Sequence, residues 1–157
     1  MKFISESQID QVTDILQSEA DQEAFFRTLG EDQPIVLSFL VSEDVKVLTL
    51  EEQELMYLLA AILYKSILNT HPDCPMIDED ILGKAEEQNW ALMEANIRGT
   101  FSERITPFFE NYPQEDLLAF VEDALVFDED SQVTNEGRSY LFVVLKSMID
   151  AFEKVAK

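Results

Sequence analysis

The residues best suited to chemistry lie in one short loop that contains two prolines. His71 and Cys74 stand three positions apart in this loop. A thiolate beside an imidazole can act as a nucleophile with its base, or it can supply half of a metal site. Either use needs a third orienting group or two further ligands, and the neighbouring sequence specifies none. We therefore interpret the segment as a surface loop between two helices.

Two acidic runs could bind a cation. Residues 78–80, followed by Gly83, resemble the start of a calcium-binding loop. The pattern then fails, because Leu82 stands where an oxygen ligand is required and Asn89 where a bidentate glutamate is required. Residues 128–130 also lack the glycine and the final glutamate of such a loop. We interpret the first run as an acidic helix N-terminus and the second as a solvated connection, with a weak cation site as the alternative.

Other catalytic signatures are missing from the sequence. A dinuclear metal centre in a helical bundle needs paired Glu-x-x-His motifs, and this chain has a single histidine. The nucleophile elbow, the phosphate-binding loop and the dinucleotide fingerprint are not found. Two of the 32 acidic residues can still meet in space as an acid–base pair. We predict no catalytic residue, metal ligand or cofactor, and we keep a carboxylate-based, possibly metal-dependent enzyme as an alternative function.

The elements that would position these residues read as helices. Ser5 with Gln8 and Thr49 with Glu52 form capping-box patterns, each followed by apolar residues at helical spacing. Gly30 is placed to end a second helix. Only 4 glycines and 5 prolines occur in 157 residues, which favours a few long elements over many short strands. The eight expected helices begin near Ser5, Asp21, Ile35, Thr49, Asp78, Ser102, Pro113 and Thr134.

The third of these segments is ambiguous. Ile35–Val41 suits a buried strand, with residues 45–47 as a hairpin partner, but Pro34 also suits the first position of a helix. We predict an all-α fold of about eight helices in antiparallel pairs, arranged as a bundle or a short solenoid-like stack. A small β-hairpin near residues 35–48 is the main risk to this prediction.

The domain organisation is predicted to be a single unit, residues 1–157, because that length is typical of one domain. A comparison of the chain with itself at an offset of 81 residues places similar apolar patterns over each other. The matching regions would be residues 1–76 and 82–157, each with four helices. We therefore consider an internal duplication.

Several aromatic residues could either fill the core or anchor a partner. Trp90 shares a helical stripe with Met93 and Ile97, and Tyr112 follows the pair at residues 108–109. Exposed aromatics of this kind are common anchors in protein interfaces. We interpret these residues as ordinary core.

The net charge is −21, divided almost equally between residues 1–78 (−11) and residues 79–157 (−10). Such a surface repels phosphate backbones and anionic lipids, so we expect no nucleic-acid partner and no membrane association. The longest uncharged apolar stretch, Leu55–Tyr64, is too short to span a bilayer. A lone cysteine and the lack of a signal sequence suggest a cytoplasmic protein.

Together these features favour a non-enzymatic, acidic helical module that binds a basic surface of another protein. An adaptor, an inhibitor, an antitoxin and an immunity-type protein all fit this description. The alternatives are the carboxylate-based enzyme, a structural or self-assembling subunit such as a homodimer, and a protein that mimics DNA through its acidic surface.

Overall fold

The chain folds into helices, as the sequence predicted. The computed structural model describes residues 1–126 and 133–156, and within these ranges it contains no β-strand. Two short 3₁₀ helices, Glu43–Val47 and Thr106–Phe109, complement the α-helices. The eight α-helices of the described ranges are α1 Glu6–Ile15, α2 Glu19–Asp32, α3 Pro34–Leu40, α4 Leu50–Thr70, α5 Glu79–Ala95, α6 Phe101–Ile105, α7 Glu115–Val126 and α8 Asn135–Val155.

Four of the eight α-helices in the described ranges, α1, α4, α5 and α8, begin directly after the cap residue that the sequence predicted. The Ser5 hydroxyl accepts the backbone N–H of Gln8 at the start of α1, and Thr49 accepts that of Glu52 at the start of α4. Both capping boxes are complete, since the Gln8 and Glu52 side chains also accept the N–H of their cap residue. Each box satisfies amides that would otherwise lack partners in the first turn.

The hairpin expected as a risk near residues 35–48 does not form. Pro34 occupies the first turn of α3, a position that needs no backbone N–H, and residues 43–47 adopt the 3₁₀ helix.

The predicted end of α2 at Gly30 was wrong, because the helix continues to Asp32. Gly30 serves packing instead, since a Cβ there would lie 2.7 Å from Leu37 Cδ2 on α3.

Some other predicted helix ends differ by a few residues. α2 begins at Glu19 behind a Ser18 cap and not at Asp21, whose N–H bonds to the Ser18 hydroxyl. α6 begins at Phe101 behind a Thr100 cap and not at Ser102. α7 begins at Glu115, two residues after Pro113. α5 ends at Ala95, before Ile97.

The centre of the fold is the pair α4 and α8. The N-termini of these two helices meet at Glu52, and the Tyr64 and Phe152 rings lie 5.5 Å apart further along both, so the two helices run in the same direction. The antiparallel arrangement expected between neighbours does not extend to this pair. α1 and α2 pack on α4, whereas α5 and α7 pack on α8. The internal duplication stays a prediction.

One glutamate joins the starts of both central helices. Oε1 of Glu52 accepts the Thr49 N–H at 2.9 Å, while Oε2 accepts the Thr134 N–H at 2.9 Å and its hydroxyl at 3.0 Å. Gly137 makes room for this carboxylate. Burial raises the pKa of Glu52, but the hydrogen bonds from the two threonines together outweigh it, so the pKa lies below its usual value of 4.5.

A buried polar network fastens α5 to α8. Lys146 Nζ contacts Asp150 Oδ2 at 2.8 Å and donates to Asn89 Oδ1 at 3.0 Å. The Asn89 amide donates to Ser147 and Asp150, and the Tyr112 hydroxyl donates to the other oxygen of Asp150 at 2.6 Å. Every member is partnered, as a buried network requires.

Two arginines bind backbone carbonyls at helix ends. Arg104 Nε donates to the Asn96 carbonyl at 2.9 Å, just after α5, and Arg138 Nε donates to the Leu125 carbonyl at 3.0 Å near the end of α7. A cation near the C-terminal end of a helix compensates the helix dipole. Among the helices in the described ranges, none is both long and apolar enough to cross a membrane.

Candidate functional site

His71 and Cys74 do not form a nucleophile–base pair. His71 Nε2 accepts the backbone N–H of Lys2 at 3.0 Å, so the imidazole serves to fix the backbone at Lys2. Burial lowers the pKa of His71, as do the nearby N-terminal ammonium group and Lys2. The Cys74 thiol instead faces the Pro75 carbonyl, with Sγ 3.7 Å from that oxygen, and burial raises its pKa. A thiol of raised pKa is a poor nucleophile.

The first acidic run serves the start of α5. Asp78 accepts the N–H of Ile81 at 2.9 Å as the helix cap, and Asp80 forms an exposed ion pair with Lys84. The run at residues 128–130 lies outside the described residues. Within residues 1–126 and 133–156, no group of three histidine, cysteine or acidic side chains is arranged to hold a metal ion.

Two carboxyl groups outside the core have a raised pKa. Burial and the negative charge of Asp44 raise the pKa of Glu86. Burial and the negative charge of Asp123 raise the pKa of Glu122. Glu86 lines a small pocket between α3 and α5, whereas Glu122 lies on α7. The two groups are therefore not an acid–base pair.

The aromatic residues considered as anchors belong to the packed interior. Phe108 is buried, with its ring edge-to-face on Phe142 at 5.1 Å between centroids. Trp90 is half-buried, 6.2 Å from the Tyr140 ring. Tyr112 is held by its hydrogen bond in the polar network. These side chains stabilise the fold and offer no exposed anchor.

A groove of about 460 Å³ lies between α2 and α4. Its floor is apolar and half-buried, formed by Phe26 of α2 with Leu55, Tyr57 and Leu58 of α4. The Phe26 and Tyr57 rings are packed at 4.9 Å between centroids. This floor offers carbon surface that a docked side chain could remove from water.

The rim of the groove is acidic on both sides. Glu19 and Glu23 stand on the α2 side, and Glu51 and Glu54 on the α4 side. All four are exposed, and none forms an ion pair with a cation of the described residues. Four negative charges around an apolar floor favour a ligand that carries both positive charge and apolar surface.

Local sequence explains each rim separately. Ser18 caps α2, so Glu19 falls in the first turn, where the helix dipole favours acids, and Glu23 lies four positions later on the same face. Glu51 lies in the first turn of α4 and Glu54 three positions on. The only sequence signal of the groove is that acids recur beside apolar residues at helical spacing in both α2 and α4. The sequence analysis missed the groove because the two helix faces meet only through tertiary packing.

Comparison of the chain with protein-family models, with curated proteins and with solved structures finds no match.

Proposed function

We propose that this protein is a non-enzymatic interaction module that binds a basic segment of a partner protein in the groove between α2 and α4. The observation that carries the proposal is the combination of an apolar floor with four exposed glutamates that lack cationic partners in the described residues. The adaptor, inhibitor and immunity-type roles all use binding of this kind.

The two parts of the groove make different contributions to binding. Burial of apolar area on the floor supplies affinity, and the cost of ordering the bound segment reduces it. The glutamates, together with the net charge of −21, steer a basic partner toward the groove and accelerate association. This steering weakens as salt screens the charges, within about 8 Å at physiological ionic strength.

The same charge opposes partners that are rich in phosphate, so the proposal excludes nucleic acid and anionic membranes as ligands. The proposed location is the cytoplasm. A lone cysteine, Cys74, supports it because the chain has no partner cysteine for an intramolecular disulfide.

The test is affinity capture from the cells that produce the protein, in low and in high salt, with quantification by mass spectrometry. The groove variant carries Glu23→Gln and Glu54→Gln. A matched control carries Glu87→Gln and Glu94→Gln, two exposed acids on α5. Both pairs of substitutions remove two charges, so a difference between them reports position and not net charge.

We expect one basic protein to be captured in near-stoichiometric amount by the wild type and by the control, and to be lost with the groove variant and in high salt. The proposal fails if every captured protein depends equally on both pairs of acids, because binding would then reflect overall charge alone.

A further inference from the structure

We infer that the segment bound in the groove is an amphipathic α-helix, with an apolar stripe flanked on both sides by lysine or arginine. This inference rests on the proposed function and names the chemistry of its ligand. The arrangement of charges, the secondary structure around the groove and the spacing of its apolar residues each support a helical ligand.

The charges flank the floor on two sides. Glu19 and Glu23 stand on one rim, and Glu51 and Glu54 stand on the other. A helix with an apolar stripe presents its neighbouring positions to the left and right of that stripe, so its cations would reach both rims. An extended segment has only two faces, and cations opposite its apolar face would point away into water.

The backbone around the groove offers nothing to an extended segment. Peptides that bind as strands obtain affinity by pairing with a free sheet edge. Throughout residues 1–126 and 133–156 the structure has no strand, and both walls of the groove are helices whose central amides bond within the helix. A helical ligand satisfies its own backbone groups and needs no such edge.

The apolar residues of the floor are spaced like neighbours on a helix face. Leu55 and Leu58 of α4, three positions apart, line the groove together with Phe26 of α2. At about 1.5 Å per residue, the two leucines are about 4.5 Å apart along α4, close to one helical turn. Apolar residues at positions i and i+3 or i+4 of a ligand helix match this spacing, and Leu58 would contact one of them.

The experiment uses synthetic peptides of about 18 residues with identical leucine and lysine content. In the first peptide the leucines follow a helical period, in the second they alternate with lysines, and the third is the first with a central proline pair. Affinities are measured by fluorescence anisotropy, and peptide helicity by circular dichroism. The proteins are the wild type, the groove variant Glu23→Gln/Glu54→Gln, and Leu58→Ala.

Two variants serve as controls. Glu87→Gln/Glu94→Gln removes the same charge elsewhere, and Leu92→Ala removes a half-buried leucine on α5, away from the groove. We expect the helical-period peptide to bind the wild type at least about tenfold more tightly than the other two. The alternating peptide cannot place its leucines on one helix face, and the central prolines break the helix of the third. Leu58→Ala should weaken binding of the helical-period peptide about tenfold, with no effect of either control.

The outcomes separate the two proposals. If the alternating or the proline peptide binds as tightly, and its binding falls in the groove variant, the ligand is not a helix but the groove remains a binding site. If no peptide distinguishes the groove variants from their controls, the groove is not a binding site for cationic segments and both proposals fail.

Discussion

Glu52 provides the sharpest test of how the two central helices are joined. The substitution Glu52→Gln keeps the size of the side chain but replaces one carboxylate oxygen by an amide nitrogen, which donates hydrogen bonds. In the wild type both oxygens accept, one from Thr49 and the other from Thr134. In either orientation of the amide, its NH₂ group faces the backbone N–H of Thr49 or that of Thr134. Two donors then face each other, and one of the two helices loses its contact with residue 52.

The magnitude follows from these contacts. A hydrogen bond to a charged group contributes about 1.5–3 kcal/mol, and a buried donor left without a partner costs about 1–3 kcal/mol. Since Glu52 is only 1% exposed, water cannot easily replace the lost acceptor. We therefore expect Glu52→Gln to lower the free energy of unfolding by about 2–4 kcal/mol.

The control is the same substitution at the adjacent position. Glu51 is exposed and lies in the first turn of α4, so Glu51→Gln removes a favourable interaction with the helix dipole of about 0.3–1 kcal/mol. Urea denaturation followed by circular dichroism, at pH 7, measures both. Equal losses for the two variants would refute the shared cap.

The pH dependence offers a second check on Glu52. Its pKa is lower in the folded protein than the usual 4.5, so the unfolded chain binds a proton more readily as the pH falls. The stabilisation is therefore complete above about pH 4.5 and is lost as the pH falls through the folded pKa. The difference between wild type and Glu52→Gln should shrink in this acidic range.

Three further variants test other contacts, each by urea denaturation. Gly137→Ala should destabilise the fold by about 1–3 kcal/mol, because the new Cβ collides with the Glu52 carboxylate. This cost exceeds the gain in helix propensity from alanine, and a variant as stable as the wild type or more stable would contradict the collision. The pKa of His71 is lower in the folded protein than in the unfolded chain, so the unfolded chain binds a proton more readily. The wild type should therefore lose stability relative to His71→Gln as the pH falls below 6.5. Parallel pH profiles of the two proteins would argue against a lowered pKa. Lys146→Met leaves the buried Asn89 amide oxygen and the partly exposed Asp150 carboxylate without their cation and should cost about 2 kcal/mol. Exposed Lys154→Met should change stability by less than about 0.5 kcal/mol.

Local signals in the sequence predicted much of the fold. The capping boxes at Ser5 and Thr49 depend on residues three positions apart, so the start of α1 and of α4 could be inferred from the chain alone. Gly30 shows the limit of such inference. A glycine after an apolar run resembles a helix end, but here it allows the close approach of Leu37 from the next helix.

The candidate groove could not be predicted in the same way. Its rims come from residues 19–23 and 51–54, which approach each other only because α2 packs on α4. Each acidic pair taken alone resembles an ordinary solvated face near a helix N-terminus. The distinguishing property, acids on both sides of one apolar floor, belongs to the packed pair of helices.

The placement of the basic residues has a thermodynamic consequence. Arg104 and Arg138 bind helix carbonyls, and Lys146 lies inside the polar network, so these cations are not available to pair with the acids at the groove. None of the four rim glutamates forms an ion pair with a cation of the described residues, so in solution the rim attracts mobile cations. A basic partner would displace these ions into bulk water, and their gain in translational entropy would contribute to association, as in counterion release from nucleic acids.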